Sequence, residues 1–289
     1  MNKLLCIVGP TGTGKTAKAI ELAQKQPSIL ISADSRQVYR GMDIVTGKDH
    51  PAGFPIFGLD IVDPGNPCSV AVWYEAVMPA IVQAWQEAKL PIVVGGTGLY
   101  VKALTHGIET MHVPINQALR NELLSLSIIK LQQKLVQLDK AKFESLNHSD
   151  SLNPRRLTRA IEVAQHRTSH PERALASRMG HMDTILIGLK YSVESIQRNK
   201  IQERVISRLK QGAIQETQAL LLKYSPSLQS ISAIGYRSII RYLAKSCTKQ
   251  ETINTWVADE LAYVKRQMTW FRKQPVIWYD IDTYGNTQN

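Results

Sequence analysis

An α/β fold, with a parallel sheet, flanking helices and a small all-helical insertion, is predicted by three features of the chain. Short apolar runs alternate with helical patterns over the first hundred residues; two of these runs end in glycine-rich turns; and the strand signal disappears from 114 to 165. The first run is the most informative. Leu4-Leu5-Cys6-Ile7-Val8 leads into Gly9-Pro10-Thr11-Gly12-Thr13-Gly14-Lys15-Thr16, and this G-x-x-x-x-G-K-T spacing is followed by the helix former Ala17-Lys18-Ala19-Ile20-Glu21-Leu22-Ala23. Strand, loop and helix in that order make a phosphate loop and predict a P-loop NTPase-like sheet. Gly9, Gly12 and Gly14 let backbone N–H groups converge on an anion, and the helix N-terminus adds its positive dipole end. Lys15 then reaches across a di- or triphosphate, and the Thr16 hydroxyl holds Mg²⁺.

The later elements follow in order. Ser28-Ile29-Leu30-Ile31-Ser32 reads as a buried strand ending at Asp34, which an open α/β sheet places in the ligand crevice. The plainer alternative for Asp34 is a helix cap or an Asx turn. A turn-rich loop over 41–58 precedes an expected strand within 55–63, then an amphipathic helix over 70–88 with Ser69 near its start. Leu90-Pro91-Ile92-Val93-Val94 is a third buried strand and delivers Gly95-Gly96-Thr97-Gly98 to the same crevice. Leu119, Leu123, Leu124, Leu126, Leu131, Leu135 and Leu138 recur at helical spacing in the insertion, whose last helix starts near Asn153-Pro154 and buries Leu157, Ala160, Ile161 and Ala164. Its other face carries Arg155, Arg156 and Arg159, most simply a solvated basic stripe. Residues 184–189 return to strand character, 193–222 read as helical with Arg204 and Arg208 one turn apart, and 233–237 open another helix. Residues 250–273 read as a long helix burying Ile253, Val257, Leu261, Val264, Met268 and Phe271, and Val276-Ile277-Trp278 as an edge strand. The predicted division is 1–113 for the first part of the core, 114–165 for the insertion and 166–289 for the remainder.

The 35 Lys and Arg against 24 Asp and Glu, a net charge of +11, favour a polyanionic partner. Three widely spaced cysteines offer neither a zinc site nor a disulfide framework. The first apolar run is too short for a signal peptide, and no run approaches a membrane span, so a cytoplasmic protein is expected.

Taken together, the chain resembles the tRNA dimethylallyltransferases, the isopentenyltransferases that prenylate adenosine beside the anticodon. The phosphate loop, Ser32 to Ile44, Gly95 to Tyr100, Arg159 to Val163, Ala233 to Arg237 and Lys265 to Arg272 carry the likeness in family order. The resemblance implies transfer of a dimethylallyl group from its diphosphate to adenosine N6. Gly9 through Thr16 would hold the diphosphate, and Lys15, Arg204 and Mg²⁺ on Thr16 would neutralise the leaving group. Asp34 would take the N6 proton, with Thr97 holding substrate from the facing turn. It implies contacts to the tRNA anticodon stem-loop from Asp34, Ser35, Arg36, Gln37 and Thr97. On the insertion Arg120, Arg155, Arg156, Leu157, Thr158 and Arg159 would join them, and in the last third Gly235, Tyr236, Arg237, Lys265 and Arg266. A monomeric enzyme with no membrane partner is implied.

The chain departs from the family pattern at Val45-Thr46-Gly47-Lys48-Asp49, where Gly-Thr-Ala-Lys-Pro is usual, at Phe57, where a histidine-rich approach is usual, and at Asn153, where Asp is common. Three other readings stay open. One is an isopentenyltransferase acting on free adenine nucleotides, which the Thr11-Gly12-Thr13 loop also suits. Another is a small-molecule kinase using ATP, although no lid arginine pattern is visible. The third is a nucleic-acid-binding protein with a degenerate loop, against which intact Lys15, Thr16 and Asp34 speak.

Overall fold

The computed structural model describes residues 2–169 and 182–284. It divides into two compact units, one of Met1–His106 with His181–Asn289, the other of Gly107–Gly180. The larger unit is built on a six-stranded sheet in the order β3-β2-β4-β1-β5-β6. The strands are β1 (Lys3–Val8), β2 (Ser28–Ser32), β3 (Ile56–Phe57), β4 (Leu90–Gly95), β5 (Asp183–Lys190) and β6 (Ile277–Asp280). Every pairing is parallel. β1 lies between β4 and β5, so both its edges are paired, and Cys6, Ile7 and Val8 are fully buried. Leu5, Ile7, Leu30, Ile92, Val94 and Leu189 share a core cluster with Ala19 of helix α1 (Lys15–Ala23).

Local chemistry accounts for the helix boundaries. Helix α2 (Val70–Gln86) is capped by Ser69, whose side chain accepts from the Val72 N–H. Its Trp73 is wholly buried, donates from Nε1 to the Ser32 carbonyl at 2.9 Å and stacks on Tyr100 of α3 (Gly98–Thr105). Among the described residues of the smaller unit are α4 (Gln117–Leu124), α5 (Ile128–Leu138), α6 (Lys140–Glu144), α7 (His148–Ser151) and α8 (Pro154–Ser169). Asn116, Ser127, Asp139 and Asn147 cap the first four in turn. Leu119, Leu123, Leu131, Leu135, Leu157, Ala160 and Ile161 form their core, whereas Leu124 lies on the surface.

The structure corrects the sequence reading in three places. The strand expected within 55–63 shrinks to Ile56–Phe57, with one further bridge between Tyr39 and Val62. The helix expected over 193–222 is two, α9 (Glu194–Lys210) and α10 (Ala213–Leu221), separated at Gly212, whose φ of 106° no helix interior accommodates. After α11 (Tyr236–Leu243), the long helix α12 (Lys249–Phe271) opens on a capping box of Thr248 and Glu251. It buries Thr252, Trp256, Val257, Glu260, Gln267 and Phe271, a face rotated from the apolar one expected. α12 packs its polar stripe inward because that stripe meets the loops at the sheet's rim. α13 (Ile281–Tyr284) follows β6.

In the smaller unit the Glu162 side chain is 1% exposed. It accepts from Arg120 Nε and Nη2, both at 3.0 Å, from the Asn116 N–H at 2.7 Å and from Arg159. Burial alone raises the Glu162 pKa, but these donors outweigh it and hold the carboxyl below its usual range. Glu162→Gln is expected to destabilise the unit by about 2–3 kcal/mol at neutral pH, since two arginines lose their counter-charge. Because the folded pKa is depressed, the wild-type advantage exists above the ordinary glutamate pKa and fades as pH falls through the lowered value. Urea titrations of both proteins across that acid range check this.

Candidate active site

Three turns leave the carboxyl ends of β1, β2 and β4 and border one cleft of about 1050 Å³. The first is the phosphate loop. Gly9, Gly12 and Gly14 have φ of 134°, 84° and 72°, and Gly14 caps α1 in the left-handed region. A side chain at Gly9 would strike the Leu189 carbonyl of β5. Thr13 Oγ1 donates to the Pro10 carbonyl at 3.0 Å and Lys15 Nζ to the same oxygen at 2.6 Å. Lys15 and Thr16 both line the cleft. Burial and then the neighbouring Arg204 push the Lys15 ammonium down to about 7, against the opposing pull of Asp34, Asp49 and Glu260.

Thr11 is held from outside the loop on three atoms. Its N–H donates to Gln267 Oε1 at 3.1 Å, its carbonyl accepts from Gln197 Nε2 at 2.9 Å, and its hydroxyl accepts from Arg204 Nη1 at 3.2 Å. Tyr191 adds a hydroxyl to the Gly12 carbonyl at 3.4 Å. Arg204 thus stands at the phosphate loop. One turn on, Arg208 is buried, with Nη1 3.3 Å from Glu260 Oε1 and Nη2 3.4 Å from the Thr46 carbonyl. Burial and Arg204 push its pKa down to about 10, with Glu260 resisting.

The second turn carries Asp34, and the Asx geometry foreseen as an alternative is present: Oδ1 accepts from the Arg36 N–H at 2.8 Å. The carboxyl also lines the cleft, so turn geometry and cleft position coexist in one residue. Thr97, on the third turn, accepts the Ser35 N–H at 3.0 Å and joins the two turns. Tyr263 of α12 bonds to Thr97, and burial and then the Asp34 charge push its phenol up to about 12. Arg266 lies 5.5 Å over the Tyr263 ring. Gln37 accepts from Ser32 Oγ at 2.8 Å and donates to the Gly47 carbonyl at 2.9 Å, while Arg36 reaches the Gln229 carbonyl at 3.1 Å.

A fourth segment, 42–49, closes one side of the cleft and is fixed by charges that sequence reasoning missed. Glu216 of α10 accepts the backbone N–H groups of Asp43, Ile44 and Val45 at 2.8, 2.6 and 3.0 Å, and the Tyr236 hydroxyl at 2.6 Å. Lys48, with no exposed side-chain surface, donates to Asp43 and Asp60 at 2.6 and 2.5 Å and to the Tyr39 carbonyl at 2.6 Å. Asp43, His50 and Asp60 cluster closely enough to suggest a metal site, but the Lys48 ammonium already bonds both carboxylates. The departure at Val45–Asp49 therefore retains the one lysine that anchors this segment.

Several expected contact residues are placed elsewhere. Leu157 and Tyr236 are fully buried, Leu157 in the core of the smaller unit and Tyr236 with its hydroxyl on Glu216, so neither side chain meets an external partner. Gly235 is buried too, with φ of 89°, where a side chain would strike Trp256 and Val45. Arg237 is exposed and sits 3.2 Å from Asp259. Lys265 and Arg266 are exposed and Thr158 half-buried. Arg155 and Arg156 are exposed, Arg156 paired with Asp150, whereas Arg120 and Arg159 are committed to Glu162.

A parallel sheet with a phosphate loop at its central strand and a carboxylate at the next rim turn defines a P-loop-type α/β protein. Comparison with known proteins narrows the class. The model of the family described as IPP transferase matches residues 37–274, and that described as isopentenyl transferase matches 2–55. A tRNA dimethylallyltransferase of Exiguobacterium sp. is 36% identical over 286 residues, covering 96% of this chain and 90% of its own. The tRNA dimethylallyltransferase 2 of Geotalea uraniireducens is 38% identical, covering 94% and 89%. The crystal structure of the full-length tRNA isopentenylpyrophosphate transferase of Bacillus halodurans superposes with a TM-score of 0.71 at 33% identity, covering 98% and 93%. The fold is also that of a eukaryotic dimethylallyltransferase acting on tRNA, with a TM-score of 0.81 at 24% identity and coverage of 99% and 76%. The chain belongs to the IPP transferase family.

A lysine at about 7 is largely neutral at pH 8, and a bound anion raises its pKa, so anion binding takes up a proton. Pyrophosphate titrated calorimetrically at pH 8, in buffers of different ionisation enthalpy, is expected to draw up to about one proton more into the wild type than into Lys15→Met. Equal uptake in the two proteins counts against a neutral Lys15.

Proposed function

We propose that the chain transfers the dimethylallyl group of dimethylallyl diphosphate to N6 of the adenosine 3′-adjacent to the anticodon of tRNA, releasing pyrophosphate. The observation that carries this reading is a single cleft bordered by the phosphate loop, by the Asp34 turn and by the Gly95-Gly96 turn that Thr97 ties to Ser35, in a chain of this family. The C1–O bond of the allylic diphosphate breaks, its electron pair staying with the diphosphate, while the N6 lone pair forms the new C–N bond. The proton leaves N6 for Asp34, whose Oδ1 is fixed by the Arg36 N–H while its other oxygen has no bonded partner among the described residues. Lys15, Arg204 and the backbone N–H groups of Gly12 through Thr16 stabilise the leaving charge. Thr97 holds the acceptor side, and the target base must leave its loop stack to reach it.

A divalent cation fits the donors present: the Thr16 hydroxyl and the Asp49 carboxylate line one cleft and are hard oxygen ligands, which suit Mg²⁺. Bound there, it would supply further neutralisation of the diphosphate charge. RNA phosphates would meet Arg155 and Arg156 on the smaller unit, and Arg237, Lys265 and Arg266 on the larger; Arg120 and Arg159 support the first pair by building α8's environment. Ser35, Arg36 and Gln37 shape the acceptor turn. A monomer acting in the cytoplasm completes the reading; separately, among the described residues no helix is long and apolar enough to cross a membrane.

One competing reading is an acceptor that is a free adenine nucleotide, which the Thr11-Gly12-Thr13 loop also suits. Labelled dimethylallyl diphosphate supplied with unmodified tRNA or with AMP separates them. Label in tRNA alone is expected, and label in AMP alone overturns the tRNA reading. Asp34→Asn keeps the side chain's shape but cannot take a proton, so single-turnover transfer should fall roughly 10²–10⁴-fold while tRNA affinity changes little. A loss of affinity with an unchanged rate would make Asp34 a binding residue. For Arg155→Ala/Arg156→Ala, the slope of log affinity against log salt should flatten by roughly 0.7–0.9 per lost phosphate contact. An unchanged slope returns both arginines to a solvated face.

A further inference from the structure

Both halves of the site sit on glycine-rich backbone. The phosphate loop leaves β1 through Gly9, Gly12 and Gly14, and the facing turn leaves β4 through Gly95, Gly96 and Gly98. Glycine-rich segments have the widest conformational range, so strand register fixes where the turns begin but not how far apart they run. Gln267 spans that gap. Its Oε1 accepts the Thr11 N–H at 3.1 Å and its Nε2 donates to the Gly96 carbonyl at 3.1 Å. The side chain is buried, and a Cβ on Gly96 would collide with the Gln267 amide and lie 3.3 Å from the Gly9 carbonyl. Thr97, next in the chain after Gly96, carries the link to Ser35 beside Asp34.

We propose that Gln267 is a positioning residue that sets the separation between the leaving diphosphate and the attacking amine by bridging the two glycine-rich turns. The proposal rests on the prenyl-transfer reading above. Gln267 makes no bond to the reacting atoms; it acts through Thr11 and Gly96. Its own place is fixed by α12, which is capped by Thr248 and tied to α9 through Glu260 and Arg208. An amide suits the task because it offers one acceptor and one donor in a single rigid plane without adding charge beside a diphosphate. Reaction rates fall steeply with small displacements of reacting groups, roughly 10²-fold for about 1 Å, whereas binding of each substrate to its own turn does not require the bridge.

The test uses Gln267→Met, which keeps the length and removes both bonds, and Gln267→Asn, one methylene shorter and unable to reach both turns. Single-turnover transfer from labelled dimethylallyl diphosphate to tRNA is measured at saturating substrates, with pyrophosphate and tRNA affinities and thermal midpoints on the same proteins. The expected result is a rate roughly 10²-fold lower in both variants, with both affinities within about threefold of wild type. Rates within twofold of wild type overturn the proposal, as do affinities that fall in parallel with the rate, which would make Gln267 part of the anion site or of general stability. A wild type that transfers nothing to tRNA sinks the prenyl-transfer reading itself, a result distinct from an active wild type with indifferent variants.

Discussion

The site depends first on register in a parallel sheet. Val8 pairs with Gly95 on one side and with Gly188 on the other, so the loops leaving β1 and β4 start level and adjacent. β2 is aligned against β4 with Ser32 opposite Val94, which brings Asp34 to the same rim. A parallel sheet sends all its strands' carboxyl ends in one direction, and the chemistry collects there without any one loop having to reach far. A slip of one residue in β1 would turn Cys6 and Ile7 to opposite faces and displace the phosphate loop from its neighbour.

Register places the turns, and long-range polar side chains then hold them. Glu216 takes three consecutive backbone N–H groups of the 42–49 segment, Gln197 and Arg204 hold Thr11, and Arg208 holds the Thr46 carbonyl. α9, α10 and α12 therefore serve as a polar scaffold as well as a core layer. Their buried faces are accordingly mixed: Gln197 and Arg208 on α9, Thr217 on α10, and Glu260 and Gln267 on α12 are all buried. A buried charge of this kind needs a partner, and Arg208 finds one in Glu260, whose Oε1 also accepts from Trp256 Nε1.

What the sequence revealed and what it hid divide along the same line. The phosphate loop, Asp34 and Thr97 were legible because their chemistry is local: a strand, a glycine-rich turn and a polar residue read consecutively. Gln267, Glu216 and Tyr263 were not, because each acts on a segment far away in the chain, and no spacing within α10 or α12 announces its target. The apolar periodicity of α12 points to Leu261, Val264 and Met268, yet these are only half-buried, since the face turned inward also carries Glu260 and Gln267 to the polar rim. Their motif neighbours place Leu157 and Tyr236 in the expected contact set, although burial assigns their side chains to packing. The basic stripe of α8 read as one surface, but the buried Glu162 claims Arg159 and leaves Arg155 and Arg156 exposed.

Lys48 gives the 42–49 segment an unusual independence. Asp43 and Asp60 present carboxylates at a spacing that a calcium- or magnesium-binding loop would use, but the cation between them is part of the polypeptide. It arrives with translation, is present in every copy at one equivalent, and cannot be chelated or exchanged. The Lys48 anchor of this wall is thereby uncoupled from the cell's metal supply, and its grip on Asp43 and Asp60 persists whatever the concentration of free divalent cation.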